Sequence, residues 1–234
     1  TSTAAISKAQ TLDYDTSYGA TYYPPVRLRD TASGREDVTV VPPSVAAIGA
    51  IARSEATSQG PWFAPAGFNR GGIGVLGGSA GPRVAGTLEH LTKKDRDDLY
   101  EENINPIARF PSIGEIVIFG QKTLQQTPSA LDRINVRRLM IYLKKRVGRV
   151  ADTILFDQNV QTTWFRFKSR ADVILADVKS RFGITEYKLV LDETTTTADL
   201  VDRNIMYAKI FVKPARAIEF IAIDFVITRS GVEF

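Results

Sequence analysis

Val136, Leu139, Met140, Leu143, Val147, Val150 and Ile154 recur at the three-and-four spacing of one helix face, while arginine and lysine fill the other. A stripe this long is stable only when another apolar layer covers it. The next segment supplies one. Residues 163–182 predict a second amphipathic helix with Phe167, Ala171, Ile174, Val178 and Phe182 on one side. Asn135 is the predicted N-cap of the first helix and Gly183 the predicted C-terminal stop of the second.

Short β-branched runs flank this helical pair. Residues 26–30 and 38–41, around a polar turn with Gly34, predict a hairpin. Pro42-Pro43 breaks the chain, and Ser44 caps a predicted helix over 45–57 that Gly60-Pro61-Trp62 ends. Thr92 and Asp95 predict a capping box and a helix running to about Asn103. Strands over 106–110 and 115–119 join through Pro111-Ser112-Ile113-Gly114. A strand over 186–191 and a threonine-rich loop, 194–197, lead to two closing β-branched runs, 205–212 and 217–228, divided by Pro214. The order is α+β: a small mixed or antiparallel sheet packed with two long helices. Residues 1–23 are small and polar, and predict a linker or the remnant of a missing upstream region. The fold is expected in 24–234.

Composition removes whole classes of chemistry. There is no cysteine, so disulfides, zinc ribbons, iron–sulfur clusters and thiol nucleophiles are excluded. A single histidine, His90, removes most imidazole-based catalysis and most metalloenzymes. The longest clean apolar run, 45–52, is eight residues against the ~18 of a membrane span. No basic patch followed by an apolar stretch marks a signal peptide. The chain opens on Thr1, which predicts a processed product or a C-terminal fragment. Thirty Lys+Arg against 26 Asp+Glu give a net charge of +4, mild for a nucleic-acid binder.

Five features bear on function. Gly72-Ile73-Gly74-Val75-Leu76-Gly77 fits the dinucleotide fingerprint in letters, but that chemistry needs a helix directly after it. Gly78-Ser79-Ala80-Gly81-Pro82 cannot start one, so a glycine-rich loop is the expectation and a nucleotide-binding enzyme the distant alternative. His90 lacks a G-x-S-x-G partner and reads as a surface residue. Asp192-Glu193, without further carboxylates at ligand spacing, reads as a solvated loop rather than a cation site. No cofactor and no metal are expected. The basic set Arg133, Arg137, Arg138, Lys144, Lys145, Arg146 and Arg149 fits either a solvated helix face or contact with an acidic partner. Only Tyr142 offers an aromatic among these charges, which argues against nucleic acid. Near the end, Ile221, Ile223, Phe225 and Ile227 alternate along a strand whose other face, Phe220, Ala222 and Val226, is also apolar. Such a strand normally lies inside a sheet, so a neighbouring subunit is expected to pair with it.

Several segments, in order, resemble the contractile tail sheath family. They are Tyr22-Tyr23-Pro24, Val41-Pro42-Pro43-Ser44-Val45-Ala46-Ala47-Ile48-Gly49-Ala50-Ile51-Ala52-Arg53, Gly60-Pro61-Trp62-Phe63-Ala64-Pro65-Ala66-Gly67 and Asn103-Ile104-Asn105-Pro106-Ile107-Ala108-Arg109-Phe110-Pro111. Ile134-Asn135-Val136-Arg137-Arg138-Leu139, Asp192-Glu193-Thr194-Thr195 and Lys213-Pro214-Ala215-Arg216-Ala217-Ile218-Glu219-Phe220-Ile221 continue the series. The resemblance implies a non-enzymatic structural subunit that stacks in six-fold rings, wound helically around a phage tail tube. Contraction would drive the tube through the host envelope. The sheath of a related bacterial contractile system, a bacteriocin or secretion apparatus, is the alternative. Extended termini that add strands to neighbouring subunits, baseplate and tail terminator partners, and assembly in the host cytoplasm into the virion tail follow from the same resemblance. No membrane and no direct nucleic-acid contact is expected. Charge makes Arg137, Arg138, Lys144, Lys145 and Arg149 the candidate tube-facing surface, and Ile221, Ile223, Phe225 and Ile227 the candidate inter-subunit strand.

Overall fold

The computed structural model describes residues 1–29, 38–58, 60–74 and 84–219. The expected helical pair is its lower half. Helix α5 (Ile134–Asp152) packs on α6 (Gln161–Ser180), and α6 lies on β7 (Ile184–Val190), which pairs antiparallel with β8 (Lys209–Pro214). Leu139 and Leu143 from α5, Phe167, Ala171, Leu175 and Val178 from α6, and Ile184 and Leu189 from β7 form one buried cluster. Burying each large side chain stabilises the fold by about 1.5–3 kcal/mol, so the helical stripes and the hairpin hold one another. Trp62 reaches in from the first half of the chain. Its ring meets Tyr142 edge-on at 5.6 Å, and its Nε1 donates to the Arg181 carbonyl at 2.9 Å.

Two helix ends differ from expectation. The N-cap of α5 is Arg133, in extended conformation with no side-chain cap bond. Asn135 lies within the first turn and its buried amide donates to the Trp62 carbonyl at 3.2 Å, because a buried amide is worth more in a tertiary bond than at a solvated cap. At the other end, α6 stops at Ser180 and Phe182 takes the left-handed position (φ 61°). Phe182 N donates to Lys179 O at 3.1 Å and Gly183 N to Val178 O at 2.9 Å, a complete Schellman pair. Phe182 therefore leaves the apolar face and is 79% exposed. Gly183 serves close approach instead, since a Cβ there would stand 2.6 Å from Val178 and 3.0 Å from Trp62.

The upper half contains two three-stranded sheets. One is mixed: β1 (Thr21–Tyr23) runs parallel to β5 (Ile104–Phe110), which turns through Gly114 (φ 69°) into antiparallel β6 (Glu115–Ile118). In the other, β2 (Val26–Arg29) lies between β3 (Val38–Val41) and β4 (Val84–Thr87), both antiparallel to it. Helix α2 (Pro43–Ser58) packs on them through Ala46, Ala47 and Ala50, small enough to bring its backbone close to Val26, Ile107 and Ile118. Short α3 (Gly67–Arg70) leads into a stretch, Gly71 to Gly74, that runs beside β6. Ile118 N donates to Gly71 O and Ile73 N to Ile116 O, each at 2.8 Å. The expected capping box opens α4 (Lys93–Glu101), with Thr92 and Asp95 bonded reciprocally.

Asn105, fully buried in β5, joins the mixed sheet to the loop after β6. Its Nδ2 donates to Thr21 O at 3.0 Å and Lys122 O at 2.8 Å, and its Oδ1 accepts from Lys122 N at 2.6 Å. Where composition predicted a linker or remnant, residues Ser2–Leu12 form α1, which lies against α4 with Gln10 donating to Glu102 at 3.0 Å. The closing run 205–212 contributes β8, preceded by the short α7 (Ala198–Asp202). Of the last predicted run, residues 217–219 are described; Ile221, Ile223, Phe225 and Ile227 lie outside the described residues.

Candidate functional site

The cations of α5 divide by position along the helix. Arg137 faces the N-terminal segment: its guanidinium lies 4.1 Å from the centre of the Tyr18 ring, and Nη2 bonds the Ser17 hydroxyl. Arg138 donates to the Glu55 carboxylate of α2 and to the Pro61 carbonyl at 3.3 Å. Burial pushes the Arg138 pKa down, with Glu55 opposing the shift, so this is a strut between helices rather than a free charge. Lys144, Lys145, Arg146 and Arg149 are exposed, with Arg146 over the Tyr142 ring at 5.7 Å. The structure thus brings together Lys144, Lys145 and Arg149 from the predicted surface, and engages Arg137 and Arg138 inside the fold.

The β7–β8 ribbon is the second feature. Among the described residues neither outer edge has a partner strand. Lys209, Phe211 and Lys213 of β8 are exposed, alternating with half-buried Ile210 and Val212. A two-stranded ribbon is marginal by itself, and open edges offer rows of backbone donors and acceptors to an incoming strand.

A third feature was not legible in residue spacing. Beyond β8, Glu219 accepts from Arg133 Nε at 2.7 Å and Nη2 at 3.0 Å, a two-pronged ion pair across 86 residues. Tyr100 Oη donates to it at 3.0 Å and Gln121 Nε2 at 3.2 Å. Burial alone would raise the Glu219 pKa; the bonds and charge of Arg133 outweigh it, and the carboxyl is held below its ordinary value. Burial and the Glu219 charge push the Tyr100 phenol up. The only sequence signal was that Glu219 falls within a segment resembling the family.

The remaining motifs have local roles. The Gly74 amide donates to the buried Glu115 carboxylate at 3.0 Å, so the described half of the glycine motif holds its own anion. The next described element is the strand β4, not a helix. Asp192 closes its own turn, accepting from Thr194 N at 2.9 Å and Thr195 N at 3.3 Å. His90 is exposed. Among the described residues no group of three or more His, Cys, Asp or Glu could hold a metal, and no helix is long and apolar enough to cross a membrane.

Residues 126–228 match the family described as phage tail sheath C-terminal domain. The tail sheath protein of Vibrio phage KVP40 is 40% identical over 186 residues, covering 80% of this chain and 26% of that protein. That of Enterobacteria phage T4 is 38% identical over 194 residues, covering 83% of this chain and 28% of that protein. The chain therefore spans about a quarter of the length of the curated relatives it matches. Among solved structures, the PVC sheath of an extracellular contractile injection system, in its contracted state, superposes with a TM-score of 0.77 at 24% identity, over 94% of this chain and 60% of that one. The contracted helical sheath of the anti-feeding prophage gives 0.74 at 24% identity, over 90% and 56%. These two likenesses show the fold.

Proposed function

We propose that the chain, whose residues 126–228 match the phage tail sheath C-terminal domain, is a structural part of a contractile phage tail sheath. In this reading six-fold rings of the subunit wind around a tail tube between baseplate and terminator, assembled in the host cytoplasm into the virion tail. Contraction drives the tube through the host envelope. No catalytic step is required, because the work comes from the free-energy difference between two packings of the same subunits. The observation that carries the proposal is the β7–β8 ribbon, with both edges open among the described residues.

An arm strand of ~5 backbone hydrogen bonds, at about 0.5–1.5 kcal/mol net each, gives a few kcal/mol per link. Alone that scarcely offsets the entropy of association, but in a lattice the links are multivalent and the mesh holds. The run with Ile221, Ile223, Phe225 and Ile227 is the proposed incoming strand on a neighbour's ribbon. Attachment to the tube must be weaker, since contraction breaks it. Exposed charge pairs of ~0–1 kcal/mol suit that, so Lys144, Lys145 and Arg149 are the proposed tube contacts. The 40% and 38% identities to phage proteins favour a phage sheath over that of a bacterial injection system. Glu115, lodged against the Gly74 amide, speaks against a nucleotide loop.

The test is negative-stain electron microscopy of the subunit at the full length of its relatives, beside the 234-residue chain, each with and without a tail tube. Hollow cylinders with a wide lumen are expected from the long form. Monodisperse particles under every condition would remove the sheath reading.

A further inference from the structure

We infer that Glu219 clamps the root of the C-terminal segment to the body of the subunit and sets the direction in which residues 220–228 leave for a neighbour; this rests on the sheath reading above. After β8 the chain keeps one ladder-like bond, Ala215 N to Gly183 O at 3.1 Å. Arg216, Ala217 and Ile218 are then exposed, and Ile218 is 82% exposed, so apolar packing does not hold this stretch. Glu219 ends it with four hydrogen bonds to three separate elements: Tyr100 in α4 and Gln121 after β6, both in the upper half, and Arg133 at the N-cap of α5. The segment leaving the lower hairpin is thereby tied to the opposite half of the molecule.

Direction matters because error grows along a strand. At about 3.3 Å per residue, a strand of about nine residues reaches roughly 30 Å, and a swing of about 20° moves its tip by roughly 10 Å, about two strand spacings. A strand rooted loosely would meet its neighbour in many registers. The clamp can also be released without unfolding the body. Arg133 Nη1 has a second partner, Asp132, at 3.2 Å, so it is not left unpaired when Glu219 departs. Glu219 is accordingly a positioning residue, acting on assembly through the strand that follows it.

The absence of native cysteine makes the test direct. Nitroxide labels at Ile218→Cys and Lys168→Cys, both exposed sites, report by pulsed EPR how narrowly the root is held. In the otherwise unchanged chain a single narrow distance distribution is expected. Glu219→Ala should at least double its width, while shifting Tm by no more than a few degrees and cutting cylinder formation tenfold or more in the full-length subunit. Glu219→Asp, which keeps the charge, should restore most of the narrowness. Should the alanine variant unfold, Glu219→Gln keeps the shape, drops the charge and gives the same reading. Equal widths with and without the carboxylate would overturn the clamp, whatever assemblies form. A narrow distribution in the parent that broadens in Glu219→Ala, from a full-length subunit that makes no cylinders, would uphold the clamp and remove the sheath reading instead.

Discussion

Arg137 and Arg138, at the start of α5, and Lys144, Lys145 and Arg149, further along it, are alike in a count of charges. In the fold they do different work. The Arg138 side chain is only 17% exposed and bridges α5 to Glu55 of α2, while Arg137 lies on Tyr18. Lys144, Lys145 and Arg149, by contrast, stand exposed. A desolvated guanidinium must keep its partners or the fold loses stability, whereas a solvated ammonium is free to serve a contact outside the molecule. The surface proposed for the tube is thus the part of a basic helix that the fold leaves unused.

Four experiments would break or sharpen this contrast. The largest effect is expected at Leu139, 1% exposed on the face that supports both ends of the helix. Leu139→Ala should cost about 2–5 kcal/mol in urea unfolding, and would blur the distinction by loosening both ends together. Next, Arg138→Ala should cost about 1–3 kcal/mol, because Glu55 and the Pro61 carbonyl lose a charged donor. Lys145→Ala should stay within about 0.5 kcal/mol. Equal losses in those two variants would erase the comparison.

The third experiment uses pH at Arg133, the N-cap of the same helix. The folded pKa of Glu219 is depressed, so its contribution is present above the ordinary glutamate value and is lost as pH falls through the folded value. Of the groups facing it, Arg133 and Lys122 remain cationic over that window and Tyr100 remains neutral. The stability gap between the parent chain and Glu219→Gln should therefore close on acidification from pH 7 towards 3. A gap that stays constant would remove the ion pair from the account. The smallest effect on stability belongs to Lys144→Glu, Lys145→Glu and Arg149→Glu combined, yet salt-sensitive co-assembly with the tube should be lost. Unchanged co-assembly would end the tube-facing proposal.

The amphipathic stripes of α5 and α6, the Thr92–Asp95 box and the Gly114 turn were readable because each is decided within a few residues by periodicity or capping chemistry. The resemblance to the sheath family was readable from ordered segments, and Asn105 shows why one of them is demanding: its side chain has three backbone partners in two other segments. Helix α1 escaped notice because Ser2–Leu12 has no strong apolar stripe, and its docking on α4 uses polar contacts such as Gln10 with Glu102. The ends of α5 and α6 moved because Asn135 and Gly183 are both claimed by Trp62, a residue far away in the chain.

By itself, then, the sequence determined the helical pair and the hairpins and carried the likeness to the sheath family, since local spacing and ordered motifs are written along one dimension. Which arginines are struts, which cations stay free, and that Glu219 closes on Arg133 were decided only in the tertiary structure. Burial and ion pairing depend on what other segments bring within a few ångströms, and no local pattern around Arg138 or Glu219 names Glu55 or Arg133.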